Sequence, residues 1–162
     1  MHTAYKKRVL YFFIPAFKHS SAGVKTLYNI IDLCNNYGAE SFVLLQNESI
    51  GSSRSGFDYN YNAPLLTLEI LEKHKNEKNI PILIYPDTII GNPFNATNVC
   101  RMMMYYDGQL SGKSSLDNSL SEGIVFFSKL IQQRANIKSA LYQHCLCLPL
   151  DDIPKTKIYN NN

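Results

Sequence analysis

Residues 9–45 read VLYFFIPAFKHSSAGVKTLYNIIDLCNNYGAESFVLL, and this stretch decides the fold. Val9 to Ile14 is a continuous apolar and aromatic run, the pattern of a central parallel strand covered on both faces. A turn containing Pro15, His19, Ser20, Ser21 and Gly23 comes next. Val24, Leu27, Tyr28, Ile31 and Cys34 then recur at helical spacing, and Gly38 supplies the C-terminal stop. Phe42 to Leu45 makes the next strand. Strand, helix and strand at this spacing form a βαβ unit with a right-handed crossover.

Asn47 to Ala63 is rich in Gly, Ser, Asn and Tyr without a sustained period, so it reads as a long loop of the functional kind. Pro64 opens a predicted helix through Leu65, Leu68, Ile70, Leu71 and Glu72, which runs into the solvated stretch Lys73 to Lys78. Ile80 to Tyr85 is the third strand. Val99, Met102, Met103 and Tyr106 are spaced as a further amphipathic helix, and Asp107 to Leu120 is polar loop. Ile124 to Phe127 and Leu141 to Leu148 are two more strands, with a short helix around Lys129 to Ala135 between them. Five strands with intervening helices predict an α/β fold: one domain, a Rossmann-like parallel sheet with helices on both faces. The domain occupies residues 1–150, and residues 151–162 read as a polar tail.

Bulk properties narrow the function classes. The chain of 162 residues is 45% apolar and 18% charged, enough for one buried core and far from disorder. Its net charge of +3 is mild and its basic residues are scattered, which disfavours a nucleic-acid partner. Cys34, Cys100, Cys145 and Cys147 contain no CxxC pair, and only His144 lies beside the C-x-C pair. That falls short of a four-ligand zinc site, so no metal is expected, and reduced thiols in the cytoplasm are. Lys6, Lys7 and Arg8 before the first apolar run imitate a signal peptide, but Pro15 cuts the run short. No stretch approaches the ~18 apolar residues of a spanning helix, which leaves peripheral association at the inner membrane face, through a partner, as the membrane contact to consider.

Two segments carry candidate chemistry, and both leave a strand at the carboxyl edge, where open α/β sheets bind ligands. In Pro15 to Lys25, Ser20 or Ser21 caps the helix and Gly23 permits close backbone approach. Free N–H groups there suit a phosphate or a sugar hydroxyl. The segment is neither GxGxxG nor a P-loop, which disfavours a dinucleotide. In Tyr85 to Val99, Asn92 precedes Pro93 and is therefore extended, and Asn92 or Asn95 caps the helix after this segment. Asp87, Gly91, Asn92 and Asn95 together supply the dense, directional donors and acceptors that hydroxyl-rich ligands need. An ordinary capped helix and a capping loop account for the same residues without any ligand.

His19-Ser20-Ser21-Ala22-Gly23-Val24-Lys25-Thr26-Leu27-Tyr28 resembles the S-x-G-V-K-x-L-Y opening of bacterial GT-B type polysaccharide glycosyltransferases. Pro86-Asp87 and Gly91-Asn92-Pro93-Phe94-Asn95-Ala96 resemble their Y-P-E-x-x-x-G-N-P-L-N-A segment, with Asp87 where that family commonly has Glu. Val99-Cys100-Arg101-Met102 is similar to the start of the next helix in that family, and Glu122 to Ser128 to its next strand. The resemblance spans roughly residues 8 to 150.

It implies a two-domain enzyme in which this chain is the acceptor-side, N-terminal half, with residues 151–162 opening the interdomain linker. A C-terminal domain, on the same or a separate chain, would hold the nucleotide-sugar donor. The expected partners are that domain and a saccharide acceptor, a precursor of a cell-surface polysaccharide. His19 and Asp87 are the candidate bases, with Ser20, Ser21, Gly23, Gly91, Asn92 and Asn95 binding the acceptor. No cofactor is assigned to this domain itself. Two other readings stand beside this one: a non-catalytic partner that binds glycan or docks a separate donor domain, and a small nucleotide-binding Rossmann protein.

Overall fold

The apolar run at the N-terminus forms β1 (Arg8–Ile14), and its alternate residues feed two separate cores. A computed structural model describes residues 6–50, 60–116, 122–135 and 142–145. After β1 come α1 (Ala22–Asn36), β2 (Ser41–Leu45), α2 (Leu68–Asn76), β3 (Ile80–Pro86) and β4 (Val99–Met103). The chain then makes β5 (Gly123–Phe126), α3 (Lys129–Arg134) and β6 (Tyr142–Cys145). The strands form one sheet in the order β2-β1-β3-β4-β5-β6, and every pairing is parallel. The fold is thus the expected α/β domain with a Rossmann-like parallel sheet.

Helices cover both faces. Leu27, Tyr28 and Ile31 of α1 pack on Phe12, Ile14, Val43, Ile84 and Met102. Ile70 and Leu71 of α2, with Leu66, pack on Val9, Tyr11, Phe42, Leu44, Leu83 and Tyr85 of the opposite face. Ile131 of α3 joins Met103, Ile124 and Phe126, which the strand register places on the α2 side.

Three sequence expectations are corrected. Val99 to Tyr106 is not a helix: Val99–Met103 is strand β4, hydrogen-bonded between β3 and β5, so the sheet has six strands rather than five. Pro64 does not open α2, because Val43 N–H donates to the Pro64 carbonyl and Leu66 N–H to the Val43 carbonyl. The helix starts instead at Leu68, where the Thr67 side chain accepts from Ile70 N–H. Neither Asn92 nor Asn95 caps a helix, since the next element is a strand. By contrast, Ser21 does cap α1, and Gly38 lies just past that helix at φ 84°, the left-handed geometry glycine adopts freely. Cys147, the tail 151–162 and the outer residues of the expected Leu141–Leu148 strand lie outside the described residues.

A polar chain crosses the α2 face. Tyr11 Oη lies 2.7 Å from His74 Nδ1, and His74 Nε2 lies 3.2 Å from Glu40, which also pairs with Lys7. Burial, reinforced by the Glu40 charge, pushes the Tyr11 phenol up to about 12 from 10.0. The hydrogen bond from Lys7 holds the Glu40 carboxyl below its ordinary 4.5. The two shifts act at opposite ends of the pH scale. Tyr11 has a folded pKa above its unfolded one, so its contribution is complete below pH 10 and is lost as pH rises to about 12. Glu40 is depressed, so its contribution is complete above 4.5 and is lost as pH falls through the lower folded value. Thermal midpoints measured against pH should therefore fall at both ends. Tyr11→Phe should flatten the alkaline limb alone, by on the order of 2 kcal/mol.

Candidate functional site

Because all strands are parallel, the segments leaving β1, β3 and β4 emerge at one edge. The chain leaves β1 toward β2 on one side, but leaves β3 toward β4 on the other. Such a reversal opens a crevice between the two central strands, where doubly wound sheets take ligands. Both sequence-selected segments, after β1 and after β3, flank it.

The β1 segment forms the α1 side. Phe17 packs edge-on against His19 at 4.9 Å and Tyr28 at 5.1 Å, leaving His19 and Ser20 exposed. Ser21, extended at φ −106° and ψ 110°, accepts from Val24 N–H. Gly23 sits in the first turn of α1 against the chain leaving β4. A Cβ there would lie 3.5 Å from Tyr105 Oη and 3.9 Å from Met104 Cε, ordinary contact, so the position tolerates a methyl group.

The β3 segment is held from beneath. Asp87, 6% exposed, donates its N–H to the Met102 carbonyl and accepts from Tyr105 N–H at 2.8 Å. Burial raises its carboxyl pKa above the ordinary 3.8. Backbone N–H groups of Tyr105, Met104 and Asp87 itself oppose the rise, and the nearby Asp107 charge adds to it. Beyond Asp87 the loop turns through Gly91 at φ 67° and Asn95 at φ 47°. Asn92 is spent inside this loop. Its Oδ1 accepts from Tyr85 O–H and Ala96 N–H, both at 3.0 Å, and its Nδ2 donates to the Ala96 carbonyl at 2.9 Å. It shapes the loop rather than offering its acceptor oxygen to a ligand. Asn92→Ala should cost about 1–3 kcal/mol in urea unfolding, and Asn92→Asp less, because the acceptor bonds survive.

Arg101 sets the loop's height. Its side chain is fully buried in β4 and meets Glu122 through Nε at 2.8 Å and Nη2 at 3.0 Å. Its Nη2 also donates to the Gly91 carbonyl at 2.9 Å and its Nη1 to the Ile89 carbonyl, while the guanidinium lies over the Tyr85 ring.

The structure thus gathers the selected residues into two groups on one edge. Asp87 and Gly23 meet through the Tyr105 turn, and Gly91 and Asn92 meet through Arg101 and Tyr85. His19 stands on the exposed lip, and no contact among the described residues joins it to Asp87. Comparison with protein-family models, curated proteins and solved structures finds no match.

Sequence reading misses four residues here. It puts Arg101 in a helix and Glu122 at the head of a strand, although an arginine in the apolar run Val99–Met103 is a signal of paired burial. Tyr105 gives no signal. Glu48, just beyond β2 at the same edge, has a buried Oε2 without a hydrogen-bond partner. Large apolar side chains also stand exposed in the connections from this edge: Ile90, Phe94, Tyr105 and Leu110. Among the described residues no three His, Cys, Asp or Glu side chains gather as a metal site, and no helix is long and apolar enough to cross a membrane.

Proposed function

We propose that the crevice between β1 and β3 binds a saccharide acceptor, and that the chain is the acceptor-side half of a glycosyltransferase. One observation carries the reading: a nearly buried carboxylate, Asp87, whose pKa is raised by burial at the switch point of the sheet. A raised carboxyl pKa is what a general base near neutral pH requires. In an inverting displacement, Asp87 takes the acceptor hydroxyl proton while that oxygen bonds to the anomeric carbon. The bond from that carbon to the phosphate breaks, and the nucleoside diphosphate leaves with the electron pair. Tyr105 and Phe94 are partly exposed aromatic side chains available to the apolar face of a sugar ring, and the first turn of α1 offers backbone N–H groups to hydroxyls. His19, on the lip, is the alternative base.

The exposed apolar side chains support a second reading, in which this edge docks a donor-binding domain and performs no chemistry alone. Calorimetric titration of the chain with oligosaccharides and with nucleotide-sugars separates the possibilities. Saturable oligosaccharide binding, with no turnover of nucleotide-sugar until a donor domain is added, is the expected result. Tight nucleotide binding without any saccharide binding would favour a nucleotide-binding Rossmann protein instead.

A further inference from the structure

A parallel crossover ordinarily carries a helix, but β3 reaches β4 through residues 87–98 without one. Part of the α2 face is consequently left open between α2 and that loop, as a cavity of about 520 Å³. The volume lies within the range of small-molecule sites. Its interior is aliphatic, formed by Leu44, Leu66, Leu71 and Leu83, with the Tyr11 ring alongside. Its charged lining is of one sign: Lys6, which leads into β1, and Lys78, which leads into β3. The pairing of Arg8 with Ile80 brings these two approaches side by side. Among the described residues neither lysine forms an ion pair, because Glu40 is taken by Lys7 and His74, and Glu77 by Lys73. Lys78 is further fixed in the left-handed conformation at φ 55°.

We infer that this groove binds a single-chain amphiphile with an anionic head: an aliphatic tail along the leucines and a carboxylate or phosphate between Lys6 and Lys78. The tail removes the leucine surface from water, and the head pairs with the two lysines of the lining, Lys6 and Lys78. The occupant is a free molecule, since the volume of about 520 Å³ falls in the range of small-molecule sites. Lys6, Lys78, Asn79 and Pro81 place the charged end at the amino edge, away from Asp87, while Phe94 and Ala96 of the loop after β3 also line the groove.

Isothermal titration of the whole chain with dodecanoate and dodecyl phosphate, below their micellar concentrations, tests this. One-to-one saturable binding of at least one of them is expected, with dodecyltrimethylammonium binding more weakly. Lys6→Gln/Lys78→Gln, at two exposed positions, should weaken binding by about tenfold or more. Leu71→Trp should fill the groove and abolish binding, with thermal unfolding run alongside to confirm the fold. No saturable binding, equal binding of anionic and cationic amphiphiles, or full affinity in the double lysine variant would each overturn the proposal. Uptake only as vesicle-bound protein would do the same and point to a membrane surface. None of these results bears on Asp87, so failure here and failure of the acceptor reading are distinguishable.

Discussion

Arg101→Met is expected to destabilise the fold by about 3–5 kcal/mol. Removing the guanidinium leaves the Glu122 carboxylate, 3% exposed, buried without its partner. It also removes the donors that Arg101 gives to the carbonyls of Ile89 and Gly91, which among the described residues have no other tie to the sheet. A buried ion pair replaced as a unit by apolar residues often costs little. Arg101→Met/Glu122→Leu should therefore recover much of the loss, but not the part due to the two loop carbonyls. Urea unfolding of the single and double variants gives both numbers. The recovered fraction reports the charge pair, and the remainder reports the loop anchor. A single-variant loss below about 1 kcal/mol would mean that water or a neighbouring group takes over from Arg101, and that Arg101 does not anchor the loop. If the loop does build the acceptor site, the double variant should stay folded yet bind oligosaccharide more weakly.

The same residue shows where sequence reading reaches and where it stops. β1, α1 and β2 are legible because every signal is local: an unbroken apolar run, Ser21 at the cap, the helical spacing of Leu27, Tyr28 and Ile31, and Gly38 at the stop. β4 is not. Val99, Met102, Met103 and Tyr106 fit a helical period, and a five-residue strand is too short for alternation to outvote it. What makes Val99–Met103 a strand is non-local. Arg101 can be buried only because Glu122, 21 positions further on, enters the same layer. Pro64 misleads for a related reason. It suits the first turn of a helix, but the backbone of Val43 engages Pro64 and Leu66 first and defers the start to Leu68, with Thr67 as the cap. At the site, the carboxyl edge is legible from strand–loop order alone. That Asn92 turns its amide inward is not, because its partners, Tyr85 and Ala96, flank it equally in a ligand-facing loop. Glu48 falls within a stretch whose composition marks only a loop.

Asp87→Asn is expected to separate chemistry from folding more sharply than any other change. Burial works against the charged form of Asp87, so the carboxylate opposes folding at neutral pH, although three backbone N–H groups offset part of that cost. Asparagine has the same shape, removes the charge and can still accept from Tyr105 N–H through its side-chain oxygen. Stability should be unchanged or higher by up to about 1 kcal/mol at pH 7, a gain that shrinks as pH falls and the native carboxyl takes up its proton. Transfer should behave in the opposite way. If Asp87 is the base of the proposed transferase, then in the chain assembled with a donor domain Asp87→Asn should lower kcat by about 10²–10⁴-fold with acceptor KM little changed, because asparagine keeps the local shape. The acidic limb of the pH–rate profile should vanish with it. His19→Ala is the control: exposed on the lip against Phe17, it should leave both stability and the pH profile near the parent values. If instead transfer survives Asp87→Asn and collapses in His19→Ala, the base is His19. Asp87 is then only the tie between β3 and the Tyr105 turn. A stability loss of more than about 1 kcal/mol in Asp87→Asn would also mean that the three N–H groups outweigh burial, and that the carboxylate is there to hold the fold.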